Sequence, residues 1–232
     1  MNFIHIGAGA GDLDPTSNFR DGFSEYVKKY NNNKDQIFLI EANPKNIQKL
    51  KETWKNYKNA KIFNFAVVSD KFEQNEIKLF YSEEDGPHYQ LLSSDINHVK
   101  KYFPKSDIKH IYVKTIKINF FLEKYLKKLK VESFSIDIEG NDFDVLMDID
   151  FDKYSIKNIS IEYLHLNKNQ KKIIINRLKS FGYSYNGFGL DHNKIDWLFT
   201  KRKSKWNDFI AMLFPYVHRI HYKRLNKILI KL

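Results

Sequence analysis

The sequence predicts an α/β fold on a mainly parallel sheet, in one domain of residues 1–203 with a basic tail, 204–232, behind it. Three observations predict it. Short apolar runs alternate with amphipathic helical stretches along most of the chain, the pattern of a sheet covered by crossover helices. The run QIFLIEA (36–42) is almost continuously apolar, as a parallel strand buried on both faces requires. Finally, IHIGAGAGD (4–12) sets a glycine loop directly behind the first apolar run, where a βαβ unit begins.

Each element has its own signal. FIHI (3–6) is the first strand. TSNFRDGFSEYVKKY (16–30) reads as a helix with Thr16 or Ser17 as its cap. QIFLIEA is the second strand, and Pro44 opens a helix over KNIQKLKETWKNY. AKIFNFAVVSD (60–70) reads as one third strand. Residues 71–118 read as an insertion on the substrate side of the sheet, with EIKLFYS and HIYVKTIKI as strands around GPHYQLLSSDI. FFLEKYLKKL is helical, SFSIDIEG a strand, DFDVLMDI a short helix, NISIEYLH a strand and NQKKIIINRLKSFG a helix. YSYNGFGL and KIDWLFTKR pair as a closing hairpin.

Composition narrows the class. Apolar content of 42% with 16% aromatics describes a globular chain. The chain has no cysteine, which excludes disulfides and fits a reducing compartment. The N-terminus has no basic region ahead of its apolar run, and FIAMLFPYV is far short of the ~20 residues a spanning helix needs. The expected location is therefore cytoplasmic. Of the net charge of +11, residues 201–232 contribute +8, so the pI reflects the tail and nucleic acid is not an expected partner.

A glycine loop alone is a weak signal, since a tight strand-to-helix turn uses the same residues. Here a strand precedes it and a helix follows, so the backbone of Gly7, Ala8, Gly9 and Gly11 is expected to meet a cofactor. The dinucleotide pattern G-x-G-x-x-G wants glycine at position 12, which is Asp12. An aspartate there repels a pyrophosphate and suits S-adenosylmethionine, which carries no phosphate. Glu41 ends the second strand, where an acid can accept both ribose hydroxyls. Asp70 ends the third run, where it can meet an adenine amino group or simply form a turn.

Asp137 and Glu139 lie two apart in SIDIEG and share one face if the strand continues through them. At a strand's C-terminal end they can orient a cationic cofactor, and one can help deprotonate an acceptor hydroxyl. Glu162 and His165 end the next strand. His165 is a candidate general base because its ordinary pKa is near neutrality. Asp137, Glu139, Asp142 and Glu162 also offer hard oxygens for magnesium or calcium, although acids near a cationic cofactor are expected without a metal.

HIGAGAG, IEANP, FAVVSD, SIDIEGNDFDVL and IEYLH occur in this order, and with them the chain resembles the FkbM family of S-adenosylmethionine-dependent methyltransferases over roughly residues 3–200. The family pattern has Asp before the first glycine block and Asn within it; His5 and Gly9 stand there in this chain. The resemblance implies a Rossmann-like class I methyltransferase fold, with a mainly parallel seven-stranded sheet and an antiparallel C-terminal hairpin. It also implies methylation of a hydroxyl on a sugar of a surface glycan, glycolipid or glycosylated metabolite. Two other readings remain: a nicotinamide-dependent oxidoreductase, and a non-catalytic nucleic-acid or membrane-binding module on the same fold. The tail spaces Trp206, Phe209, Ile210, Leu213 and Phe214 helically among lysines and arginines. That pattern suits an anionic membrane surface or a helix docked on protein.

Overall fold

The structure is a computed structural model that describes residues 1–11, 22–86, 89–126, 130–189 and 196–201. The readings of Asp12, of a cap at Thr16 or Ser17, and of the tail lie outside the described residues. In chain order the elements are β1 (Asn2–Ile6), α1 (Gly22–Tyr30), β2 (Gln36–Ile40), α2 (Pro44–Thr53), β3 (Ala60–Phe63) and β4 (Ala66–Val68). Then come β5 (Glu76–Ser82), α3 (Ile96–Tyr102), β6 (Ile108–Lys117), α4 (Ile118–Leu126), β7 (Val131–Ile136) and α5 (Asp142–Asp148). The last are β8 (Ile156–Glu162), α6 (Lys168–Ser180), β9 (Tyr183–Phe188) and β10 (Asp196–Lys201).

Seven strands form the main sheet in the order β3-β2-β1-β7-β8-β10-β9. β3, β2, β1, β7 and β8 run parallel, and β10 lies antiparallel between β8 and β9. The strand order reverses between β1 and β7, the place where open α/β sheets open a crevice for ligands.

Alternation along β1 explains the layers. Phe3 joins Phe23, Val27, Leu50 and Trp54 under α1 and α2. Ile4 and Ile6 point the other way, into the larger core with Phe121, Leu122, Val145 and Leu146. α2 starts where it does because Pro44 suits a first turn and the Asn43 side chain accepts from the Lys45 N–H at 3.0 Å. α6 carries a full capping box between Asn167 and Gln170.

One expected element divides in two. The run 60–70 is not a single strand: β3 belongs to the main sheet, whereas β4 joins a second sheet of order β4-β6-β5. Asn64 makes the break, donating its side-chain N–H to the carbonyls of Glu41 and Ala42. The insertion also holds α3, a helix the sequence reading missed; the Asp95 side chain caps it by accepting from the Asn97 N–H at 2.8 Å.

Candidate active site

The glycine loop follows from what surrounds it. After Ile6 the backbone N–H groups of Gly7 and Ala8 both donate to the Ile40 carbonyl, at 2.9 and 3.0 Å. Gly7 has φ +83°, and a Cβ there would stand 1.6 Å from the Asp137 carbonyl oxygen. Only glycine lets β1 and the end of β7 come this close. Gly9 differs: at φ +56° it has nothing within 4 Å of an added Cβ, so its backbone is open to a ligand.

Glu41 stands one residue beyond β2 and is 6% exposed. Its Oε2 accepts from the Gly9 N–H at 2.7 Å and its Oε1 from the Asn43 N–H at 2.6 Å. One carboxylate thus shapes the glycine loop and the entry to α2, and each oxygen keeps a further lone pair for a ligand. Burial pushes its pKa up to about 7, against the pull of the Asn43 and Gly9 N–H groups.

Both residues line a cavity of about 200 Å³. Its wall includes residues Gly7 to Gly11, Glu41, Asp137, Glu139, Asn141 and Asp196, with Leu79, Tyr89 and Leu92 from the insertion. The insertion is therefore part of the site.

The acids form two groups. Asp137, Asp142 and Glu162 bring carboxylate oxygens within 4.8 Å of one another. Asp142 is committed: its Oδ1 accepts from the Ile138 N–H at 2.9 Å and its Oδ2 from the Gly140 N–H at 3.0 Å. Burial, then Glu162 nearby, push its pKa up to about 6. Asp137 faces the cavity, where desolvation and then the charges of Glu162, Asp196, Glu139 and Asp142 raise it well above the usual range. Four carboxylates around Asp137 make this recess a strong attractor for a cation.

Glu139 belongs to the second group. β7 ends at Ile136, and Glu139 lies in the loop beyond it at φ +55°, a backbone conformation rare outside glycine. Its carbonyl accepts from Ser93 Oγ at 3.0 Å. Its Oε2 lies 3.0 Å from His165 Nε2 and 3.2 Å from His98 Nε2. His165 Nε2 is also 2.9 Å from Glu162 Oε1, and the two imidazoles are 4.3 Å apart. Burial tends to raise Glu139, but His165 and His98 bring it below the usual carboxylate value.

Three expectations change. Asp137 and Glu139 do not share a strand face, because the strand stops short of them; one points into the acid recess and the other meets the histidines. His165 is not a free base. Glu139 and then Glu162 raise it to about 10, so it stands between them as an imidazolium at neutral pH. Asp70 does not line the cavity. Its carboxylate accepts from Asn119, at 3.2 Å from the backbone and 2.5 Å from the side chain, and its N–H donates to Asp148. It ties β4 to α4 and α5. Two residues that sequence reasoning missed enter the site, His98 from α3 and Asp196 from the start of β10. Neither carries a motif; proximity after folding is their only signal.

The strand order, the glycine loop at the crevice and the acid ending β2 define a Rossmann-like α/β protein of the class I type. The model of the FkbM methyltransferase domain matches residues 5–185, and the chain belongs to this methyltransferase family. A comparison with curated proteins gave no match. Among the described residues, no helix is long and apolar enough to cross a membrane.

Proposed function

We propose that the protein is an S-adenosylmethionine-dependent O-methyltransferase whose acceptor is a sugar hydroxyl of a glycan, glycolipid or glycosylated metabolite. The observation that carries this reading is the pairing of Gly9 with Glu41 at one end of the cavity and the carboxylate recess at the other. Glu41 offers acceptors to a ribose diol, and the open Gly9 backbone lets the nucleoside approach. The recess suits a sulfonium and an ammonium, where a pyrophosphate would be repelled.

S-adenosylmethionine held by Gly9, Glu41 and the recess would supply the methyl group, its sulfur leaving with the C–S electron pair as the acceptor oxygen bonds to carbon. Asp137, ionised beside the bound sulfonium, would take the acceptor's hydroxyl proton. Alignment supplies much of the acceleration, and proton removal the rest. The sugar acceptor is what the family resemblance suggests; Leu79, Tyr89 and Leu92 of the insertion line the same cavity, which supports an acceptor lying there.

Calorimetric titration with S-adenosylmethionine, S-adenosylhomocysteine and NAD tests the reading. The two sulfur nucleosides bind and NAD does not. Preference for NAD would favour the oxidoreductase, and binding of none of the three would favour a non-catalytic module.

A further inference from the structure

We propose that His98, Glu139 and His165 bind a divalent transition-metal ion at the edge of the cofactor cavity. The three come from separate parts of the fold: α3 of the insertion, the loop after β7 and the turn after β8. Their ligand atoms all lie within 4.8 Å of one another. The two Nε2 atoms are 3.2 and 3.0 Å from the same carboxylate oxygen. A cation bound at about 2.0–2.2 Å by nitrogen and oxygen ligands sets neighbouring ligand atoms about 2.9–3.5 Å apart. The two observed spacings match edges of such a coordination polyhedron.

Ion pairing among the imidazoles and carboxylates accounts for only part of the cluster. Glu139 Oε2 and His98 Nε2 are both sealed from solvent, and beyond these ion pairs neither has a hydrogen-bond partner among the described residues. Glu162 adds an independent sign. Its side chain is 3% exposed, its Oε1 faces His165 Nε2 at 2.9 Å, and its Oε2 has no hydrogen-bond partner among the described residues. Buried polar atoms left this way are costly unless something else occupies the position. A metal ion there would lie where both imidazole nitrogens already face the carboxylates.

The ligand set selects the class of metal. Of the four acids, Asp137, Asp142 and Glu162 form a separate all-oxygen group, and Glu139 meets the histidines instead. Two imidazoles with one carboxylate favour manganese, iron, cobalt or zinc over magnesium or calcium. Glu139 also lines the cavity, so the ion would stand where it can polarise an acceptor hydroxyl. That catalytic role rests on the methyltransferase reading; the binding itself does not.

The test uses the untagged full-length chain, stripped with a chelator and titrated separately with Mn²⁺, Co²⁺ and Zn²⁺. One ion per chain binds with a Kd below about 100 μM. His98→Ala and Glu139→Gln weaken it by roughly 100-fold or more, since even partners of metal ligands are worth about 10–100-fold. His110→Ala, exposed on β6 of the same insertion, leaves binding unchanged. No uptake of any of the three ions, or uptake untouched by both ligand variants, overturns the inference. Should those variants fail to fold, spin-echo spectroscopy of the Mn²⁺-loaded wild type decides: imidazole nitrogen couplings support the site and their absence rejects it. Titration with S-adenosylhomocysteine in parallel separates the two readings. Metal uptake without nucleoside binding rejects the cofactor reading alone, and nucleoside binding without metal uptake rejects this inference alone.

Discussion

The proposed role of Glu41 predicts pH-dependent cofactor binding. Its pKa in the folded chain is about 7, against an ordinary 4.5. The unfolded chain therefore gives up this proton first. At about 1.4 kcal/mol per unit, the ionised carboxyl opposes folding by about 3 kcal/mol above pH 7. That opposition fades as pH falls from about 7 to 4.5. A ribose diol donates to the carboxylate and relieves the same cost, so the nucleoside binds the ionised form. Below pH 7 each further unit weakens binding about tenfold, which at pH 5.5 amounts to about 30-fold relative to pH 8. Calorimetry with S-adenosylhomocysteine at both pH values reads this directly, and buffers of differing ionisation enthalpy show proton release near pH 7. In Glu41→Gln the pH dependence flattens and affinity at pH 8 falls, because one amide oxygen cannot replace two carboxylate acceptors. A flat wild-type profile, or a slope that survives Glu41→Gln, refutes the reasoning.

The glycines separate fold from ligand. Gly7→Ala forces a methyl onto the Asp137 carbonyl at positive φ and destabilises the protein by about 2–5 kcal/mol in urea titration. Gly9→Ala meets no neighbour, costs only about 1–2 kcal/mol of backbone strain, and loses cofactor affinity; equal stability losses in the two variants would contradict the assigned roles. Asp137→Asn keeps its circular dichroism spectrum while methyl transfer falls about 10²–10⁴-fold, and full activity would remove Asp137 from the reaction. Asp70→Ala lowers stability by about 1–3 kcal/mol through Asn119 and leaves nucleoside affinity unchanged; a loss of affinity instead would return Asp70 to the cofactor site.

The main sheet was legible because its signals are local. β1 and β2 are short, mostly apolar runs, β7 and β8 interleave apolar with polar residues over strand-length stretches, and the glycine loop marks the crevice by position alone. The split of residues 60–70 was not legible. Phe65 to Val68 continue the apolar pattern of β3, and the bond that diverts them runs from Asn64 to a distant strand end. Glu139 misled for a related reason: SIDIEG reads as one strand, and nothing in those letters announces a positive φ. His98 was invisible because its partners arrive from β7 and β8, far along the chain. The charge state of His165 was also beyond reach, since it depends on two carboxylates that only folding brings to either side of one imidazole.

The contact between Gly7 and the Asp137 carbonyl has a consequence for biosynthesis. The N-terminal loop takes its shape against the end of β7, which leaves the ribosome much later than β1. A nascent chain that has released only β1 to β6 has Glu41 and all three glycines, yet lacks the surface that seats them. Because the long-range pairing of β1 with β7 must close first, the proposed nucleoside site forms only after β7 has joined the sheet. Nucleoside binding by stalled chains of increasing length should therefore switch on in one step, once β7 is clear of the exit tunnel.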